Sequence, residues 1–319
     1  MTHSYIAKQT FQLLCGFNST GNNLMPFRHQ LLALMVAFIW GTNFVFIEMG
    51  LRELPPFLFA CLRFILVAIP LVFILPRPKV PWWQLISYGF LIGFGQFGLL
   101  FWAIQDNITP GLASLVVQIQ VFFTILLASA LFHESIKRTQ WIALFISFDG
   151  LLLIAVFTDG QTTLPGLGVV VIAAFSWAGG NLIVKQAGKV NIIAFIAWSS
   201  LFAIPPLALM SFYSEGWPAI QQGLEQAGLL SWSVVLWQTI GNTLIGYGLW
   251  NWLLGQHKAS AVTPWALMVP VFGMIASAIV LNEPMPWWKW AAAILIMTGL
   301  TINLKTSRAK KLPAKHPIR

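Results

Sequence analysis

Charge is the scarcest property of this sequence. Only 8% of its 319 residues are charged and 58% are hydrophobic, whereas about 25% of residues are charged in a typical soluble protein. A chain of this composition cannot cover a water-exposed surface, so a soluble globular fold is excluded. It has two cysteines, Cys15 and Cys61, too few for a disulfide scaffold.

Residues and motifs that carry chemistry are also scarce. The chain has five histidines and nine acidic residues, and no Cys or His pair stands at metal-ligand spacing, so neither a metal nor another cofactor is predicted. The H-E-x-x-H, G-x-S-x-G and glycine-rich phosphate-loop motifs are missing, which argues against an enzyme. Because the chain is so apolar, its net charge of +9 indicates a membrane surface rather than nucleic acid as its partner.

Long apolar runs, in contrast, are abundant. A run of about 20 residues crosses about 30 Å of hydrocarbon as a helix. Lipid offers backbone groups no partners, and the runs show no alternation of period two, so they are helices and not strands of a barrel. We predict an all-α membrane protein with ten transmembrane helices. They lie at about 30–49, 56–75, 84–104, 111–131, 139–157, 166–186, 191–213, 232–254, 260–281 and 287–304.

Basic residues in the connections predict the orientation. With the N-terminus placed in the cytoplasm, 15 of the 18 Lys and Arg residues fall on the inner side, whereas Arg52 and Lys289 fall outside and Arg63 lies within a span. Both termini are therefore predicted to be cytoplasmic. The basic tail 305–319 is expected to be a stop-transfer flank, with anionic lipid as its alternative role. The polar segment 1–27 is expected to be an N-terminal extension upstream of a start at Met25, with no function assigned.

The two halves of the chain resemble each other. Trp40 recurs as Trp177 in a shared Ala-Phe-x-Trp motif, and five residues near the fourth and fifth spans recur 149 positions later. These five are Glu134, Trp141, Ala143, Gly150 and Leu151, matched by Glu283, Trp290, Ala292, Gly299 and Leu300. Two repeats, 28–157 and 166–304, are predicted. Because each holds five spans, the second enters the membrane from the opposite side, an inverted repeat typical of secondary transporters.

Uncharged polar and aromatic side chains within the spans are the candidate substrate-binding residues. Each is either part of a polar pathway or glue between helices, and both interpretations remain open. Aromatic walls with a few amides suit a small zwitterion. The candidates are Trp40, Asn43, Gln96, Gln118, Trp177, Asn181, Gln238, Asn242, Tyr247 and Trp265.

Two local patterns refine this set. Gln118 and Gln120 are 200° apart on an ideal helix, so only one of them is predicted to face a cavity. Pro264 and Pro270 flank Trp265, which predicts a bent or broken helix that exposes backbone carbonyls, with kinking for packing alone as the alternative.

Three ionisable residues within spans are candidates for an ion pair or for proton coupling. Arg63 needs a partner in hydrocarbon, and Glu48 lies at a compatible depth, so we predict a structural ion pair. The alternative is that Arg63 grips a substrate carboxylate or senses protonation of Glu48. Asp149 is expected to be neutral and bonded to a neighbouring helix, with proton carriage as its alternative. Protons are thus a candidate partner.

Several short segments resemble the EamA branch of the drug/metabolite transporter superfamily, in particular its exporters of cysteine and O-acetylserine. These segments are Trp40–Phe44, Pro76–Pro81, Gly111–Val116, Phe175–Ala178, Gly246–Gly248 and Val269–Val271. The resemblance spans about residues 28–304, and the extension before Met25 departs from the family pattern. It implies a 5+5 inverted-repeat fold in the bacterial inner membrane and export of small amino-acid metabolites by alternating access. Export of other metabolites or of drugs, or a passive channel, are the alternatives.

Overall fold

The computed structural model describes residues 25–157, 161–257 and 259–309, and all regular secondary structure within these ranges is helical. Most of the predicted N-terminal extension, residue 258 and the tail from residue 310 lie outside the described residues. The helices are α1 Phe27–Leu51, α2 Pro56–Ile74, α3 Trp82–Asp106, α4 Pro110–Phe132, α5 Arg138–Val156, α6 Leu164–Ala187, α7 Ile192–Met210, α8 Gly216–Gln226, α9 229–256, α10 Thr263–Val280 and α11 Trp287–Ala309, and a helix of four residues, Ala259–Val262, directly precedes α10.

Within the described ranges, eight helical segments are long and apolar enough to cross a membrane. They are α1 to α6, α10, and α7 together with its continuation into α8. The predicted eighth and tenth spans are helical as α9 and α11 but do not belong to this set. An all-helical, multi-spanning protein is therefore confirmed, while the count of ten spans stays a prediction.

The connection between α7 and α9 is largely helical. It contains the amphipathic helix α8, and Glu215 before that helix accepts hydrogen bonds from the backbone N–H groups of Phe57 (2.6 Å) and Leu58 (3.2 Å) at the start of α2. Glu53 likewise accepts from Gly228 N (2.8 Å) and Ser231 Oγ (2.7 Å) at the start of α9, and these hydrogen bonds lower the pKa of Glu53. Carboxylates at helix N-termini satisfy N–H groups that have no partner within the helix.

The two halves share backbone irregularities as well as sequence. A π-helical segment occupies Gly89–Gly98 in α3 and Trp237–Gly246 in α9, 148 residues apart. A 3-10 segment lies within α4, at Val117–Ile119, and another forms the start of α10, at Thr263–Leu267. The helices α4 and α10 are followed by left-handed residues, His133 and Asn282, each at φ 53°. The same deviations from α-helical geometry thus recur at corresponding places in both halves.

Helix packing follows the same pattern. The α5 helix packs against α11, α2 against α7, α1 against α10, and α4 against α6. Exchanging the halves converts the α1–α10 pair into the α6–α4 pair and leaves the other two pairs unchanged. Gly89 and Gly93 bring α3 against α7, because a Cβ on either would collide with Ser199 or Ala203. This packing leaves a space along the centre of the bundle.

Candidate substrate cavity

A cavity of about 410 Å³ lies between helices of both halves, within the size range of small-molecule sites. Its walls are aromatic rings and side-chain amides, and none of the described residues that line it is Asp, Glu, Lys, Arg or His. Eight of the ten predicted substrate-binding residues line it, namely Trp40, Asn43, Gln96, Gln118, Trp177, Asn181, Asn242 and Tyr247. The sequence prediction missed the lining residues Tyr88, Gln120, Trp250, Asn251 and Thr263. Trp250 and Trp102 end the same Gly-x-x-x-Trp motif in the two repeats, 148 residues apart.

The aromatic part of the wall is built on α1 and α9. The Trp40 ring centroid lies 5.2 Å from that of Tyr247 and 5.3 Å from that of Trp250. Trp40 Nε1 donates to the backbone oxygen of Asn242 (3.3 Å). A Cβ at Gly246 would collide with the Trp40 indole, so glycine at this position is what lets the indole lie against α9. The side-chain amide of Asn242 remains on the cavity wall.

Gln238 was predicted to line the cavity but lies behind its wall, fully buried. Its Nε2 donates to Asn43 Oδ1 (2.8 Å), and its Oε1 accepts from Arg63 Nη1 (3.1 Å). Residue counting predicted how deep Gln238 lies in the span but not the direction of its side chain. That direction depends on the π-helical segment of α9, which contains Gln238. Gln238 therefore contacts the cavity only through Asn43.

Arg63 does not form the predicted ion pair with Glu48. The guanidinium is fully buried between α2, α3 and α9, where Nη2 donates to Thr243 Oγ1 (3.0 Å) and Cζ lies 3.7 Å from the Phe97 ring centroid. Its neighbours are thus neutral amide, hydroxyl and aromatic groups, which interact favourably with a guanidinium. Glu48 lies elsewhere, in a separate pocket that it shares with Arg52, Asp106 and Glu283; similar depth in the membrane did not bring the two side chains together.

Gln118 and Gln120 both line the cavity, contrary to the prediction that only one would. Gln118 lies within the 3-10 segment Val117–Ile119 and Gln120 directly follows it, so the angle of an ideal α-helix does not apply. The predicted ninth span, 260–281, is interrupted by the 3-10 segment Thr263–Leu267, as its prolines predicted, and the carbonyl of Ala266 in this segment accepts from Gln118 Nε2 (3.3 Å). Trp265 is not among the residues that line the cavity and packs against a small cluster around Leu253 and Val262, so its predicted place on the cavity wall is wrong.

Asp149 is exposed on the outer surface of α5. The buried face of this helix carries Ala143, Ser147, Gly150 and Ile154, and Asp149 lies off that face. It neither lines the cavity nor has a hydrogen bond among the described residues, so the predicted bond to a neighbouring helix is wrong. A proton relay through the cavity wall is equally unsupported by this position.

The two ends of the bundle differ. The lining of the cavity extends to Ile192, Leu254 and Thr263, which lie at helix ends on the side that also carries Arg28, Arg77 and Lys185; we call this side the basic end. At the other end, Glu283 is buried and accepts hydrogen bonds from the hydroxyls of Thr109 and Ser277, from Gly111 N (2.9 Å) and from Lys289 Nζ (3.0 Å). We call these five residues the Glu283 cluster. It joins α4, α10 and α11 beyond the cavity.

A helical bundle of two similar halves around an uncharged cavity has the architecture of a transporter. The sequence model of the EamA-like transporter family matches residues 28–156 and 164–305. The chain therefore belongs to the EamA-like transporter family, and it is a multi-pass membrane protein.

Individual relatives agree with this assignment. A probable amino-acid metabolite efflux pump of Salmonella typhimurium is 40% identical over 286 residues, which cover 88% of this chain and 96% of the relative. A protein of the same description from Escherichia coli is 39% identical, with 90% and 98% covered. An uncharacterized transporter of Bacillus subtilis is 27% identical, with 88% and 97% covered. A crystal structure with 18% identity matches 92% of this chain and 100% of its own with a TM-score of 0.60, which shows the shared fold alone.

Proposed function

We propose that this protein is a secondary transporter that exports small amino acids or their metabolites, of the cysteine or O-acetylserine type, across the bacterial inner membrane. The observation that carries the proposal is the uncharged cavity of amides and indoles at the centre of the bundle. A group of net charge in such a cavity would lack a compensating partner. A zwitterion has no net charge, and amides supply both donors and acceptors for its two ends. The names of the two 40% and 39% identical relatives agree with this substrate class.

The transport mechanism that we propose is alternating access in a ten-span 5+5 inverted repeat with both termini in the cytoplasm. The distribution of Lys and Arg supports a cytoplasmic position for the basic end. The cavity then reaches toward the cytoplasm, while the Glu283 cluster closes the periplasmic end. Transport would require opening of that cluster and closure of the basic end around Glu134, its counterpart in the first repeat.

Protons are the candidate coupling ion. Of the two acidic residues predicted to carry them, Glu48 is better placed than Asp149, because it shares a pocket with Glu283 at the periplasmic end. Protonation there would act on the gate and not on the substrate.

The experiment is efflux of radiolabelled L-serine, L-cysteine and O-acetyl-L-serine from proteoliposomes, with and without an imposed pH gradient. Asn242→Ala removes a cavity amide, and we expect it to lower saturable efflux about tenfold, the effect of losing a hydrogen bond to a charged group. Gln222→Ala, on the exposed surface of α8, is the matched control and should leave efflux unchanged. Flux that does not saturate would indicate a channel, and absence of efflux for all three compounds from folded protein would contradict the substrate assignment.

A further inference from the structure

We infer that Asn43 is the subsite for the carboxylate of the substrate, and that Arg63 and Gln238 are positioning residues that fix its hydrogen-bonding polarity. This inference rests on the proposed function and adds the orientation in which an amino acid is held. It follows from a chain of three side chains that runs from the buried guanidinium to the cavity wall. None of the three acts as a charged contact in the cavity.

The first step of the chain is set by Arg63. A guanidinium has five N–H donors and no acceptor, and it stays protonated in proteins. Gln238 must therefore turn its oxygen toward Arg63 Nη1, at 3.1 Å. The orientation of an amide is normally ambiguous between its oxygen and nitrogen, but next to a group that can only donate, one orientation alone makes a hydrogen bond.

The second step transfers this polarity to the cavity. With its oxygen held by Arg63, Gln238 presents Nε2 to Asn43, and Asn43 must accept through Oδ1, at 2.8 Å. The Nδ2 group of Asn43 is then directed away from Gln238. No described residue accepts a hydrogen bond from it, and Asn43 lines the cavity. Asn43 thus offers N–H donors to a ligand, and a carboxylate is the acceptor of the proposed substrate.

The opposite polarity is found at Asn181, on the wall contributed by α6. The Thr124 hydroxyl donates to the backbone oxygen of Gln120 (2.8 Å), so its oxygen is left to accept. Asn181 Nδ2 lies 3.4 Å from the Thr124 hydroxyl oxygen and 2.8 Å from Gln120 Oε1. The amide nitrogen of Asn181 is thereby committed, and its Oδ1 is left for the cavity as an acceptor. One cavity therefore has a donor wall at Asn43 and an acceptor wall at Asn181, as a zwitterion requires.

Gln238→Glu tests the inference, because it reverses the hydrogen-bonding polarity of Asn43 without changing the shape of the side chain at position 238. Both carboxylate oxygens accept, so the new side chain keeps Arg63 as its partner but forces Asn43 to turn Nδ2 inward and Oδ1 toward the cavity. Binding is measured on purified, monodisperse protein with two probes of nearly identical shape, L-serine and L-serinamide. We expect wild type to bind serine at least about tenfold more tightly than serinamide, and Gln238→Glu to reverse that preference, since serinamide can donate to Oδ1.

Variants of Arg63 separate a positioning role from a structural one. Arg63→Lys keeps a group that only donates and should retain the preference for serine. Arg63→Met removes the donor, frees both amides to rotate and should lower the preference for serine below that of wild type and of Arg63→Lys, because no fixed polarity remains. Serinamide carries a net positive charge in every variant, so the change in the ratio between variants, and not the ratio itself, is the readout. If an Arg63 variant is not monodisperse, the test rests on Gln238→Glu, which keeps a partner for the guanidinium.

The outcomes distinguish this inference from the proposed function. If wild type binds the two probes equally, or if Gln238→Glu keeps the preference for serine, the carboxylate subsite is overturned. If serine binds with the expected preference but is not transported in proteoliposomes, the export function fails while the subsite stands. Reversal in Gln238→Glu together with retention in Arg63→Lys supports the inference.

Discussion

Glu134 and Glu283 occupy the same position in the two repeats, 149 residues apart, yet their surroundings differ greatly. Glu283 is buried, with a side-chain exposure of 3%, and is bonded to four donors that include the fully buried Lys289. Glu134 is 50% exposed and contacts Lys185 at 2.5 Å. Within a duplicated fold, equivalent residues in unequal surroundings indicate that one end is closed and the other is open.

The sequence explains part of this difference. Ser277 and Lys289 correspond, at the offset of 149, to Ala128 and Gln140 in the first repeat. Two of the donors in the Glu283 cluster therefore have no equivalent near Glu134. Gln140 instead bonds Asn303 Oδ1 (3.2 Å) and the backbone N of Lys137 (3.0 Å). Closure of the basic end would thus be chemically weaker than closure of the Glu283 end, which favours the state in the structure.

The largest effect is expected for Glu283→Gln. The substitution removes the carboxylate that bonds the buried Lys289 ammonium at 3.0 Å, and breaking a buried ion pair from one side costs about 3–5 kcal/mol. Thermal unfolding of the purified protein measures this loss. The double variant Glu283→Gln with Lys289→Met should recover much of it, because the buried ammonium that bonds Glu283 is then removed as well. An unfolding temperature equal to that of wild type would contradict the importance of the Glu283 cluster.

An intermediate effect is expected when the equivalents of Ser277 and Lys289 are introduced at the basic end by substitution. Ala128→Ser with Gln140→Lys supplies the basic end with the two groups that it lacks, and we expect closure of that end to gain about 1.5 kcal/mol, or about tenfold in population. The measurement is the labelling rate of a cysteine placed at Thr263, on the cavity wall near the basic end, with a thiol reagent added from that side. Ala128→Ser with Gln140→Leu is the control. Unchanged labelling would show that these donors do not set the difference between the ends.

The smallest effect is expected for Glu134→Gln. Its ion pair with Lys185 is half exposed, and exposed pairs contribute about 0–1 kcal/mol and weaken with salt. Unfolding should be nearly unchanged at high salt and slightly easier at low salt. A loss as large as that of Glu283→Gln would mean that Glu134 is buried in the dominant state, and the two ends would then not differ as described.

The fold and much of the site were predictable because they depend on composition and spacing. Span length, the 149-residue offset and mid-span amides are readable from the chain, and eight of ten proposed cavity residues line the cavity. Counting along a helix gives depth but not direction. Gln238 and Gln120 lie in or beside π- and 3-10 segments, where ideal angles fail. The prediction for Asp149 failed for a related reason, because the depth of a residue in the membrane does not tell which face of its helix it lies on.

Charge pairing was the least predictable feature. Matching Arg63 with Glu48 assumed that a buried guanidinium requires a carboxylate, whereas an amide, a hydroxyl and an aromatic ring surround it. The donors that bury Glu283 come from α4, α10 and α11, and only Ser277 and Lys289 lie near it in sequence. Such long-range groupings depend on how the helices pack, which spacing within one helix does not specify.

The most direct test of the account is the accessibility of Ile47, which lines the cavity and is fully buried. Ile47→Cys is placed in a background where Cys15 and Cys61 are serine, and intact cells are treated with a membrane-impermeant thiol reagent. We expect the cysteine to be protected while Glu283 is intact and to react at least about tenfold faster when Glu283→Gln is added, because the periplasmic end then opens. Equal rates with and without Glu283 would contradict a cavity closed at that end by the Glu283 cluster.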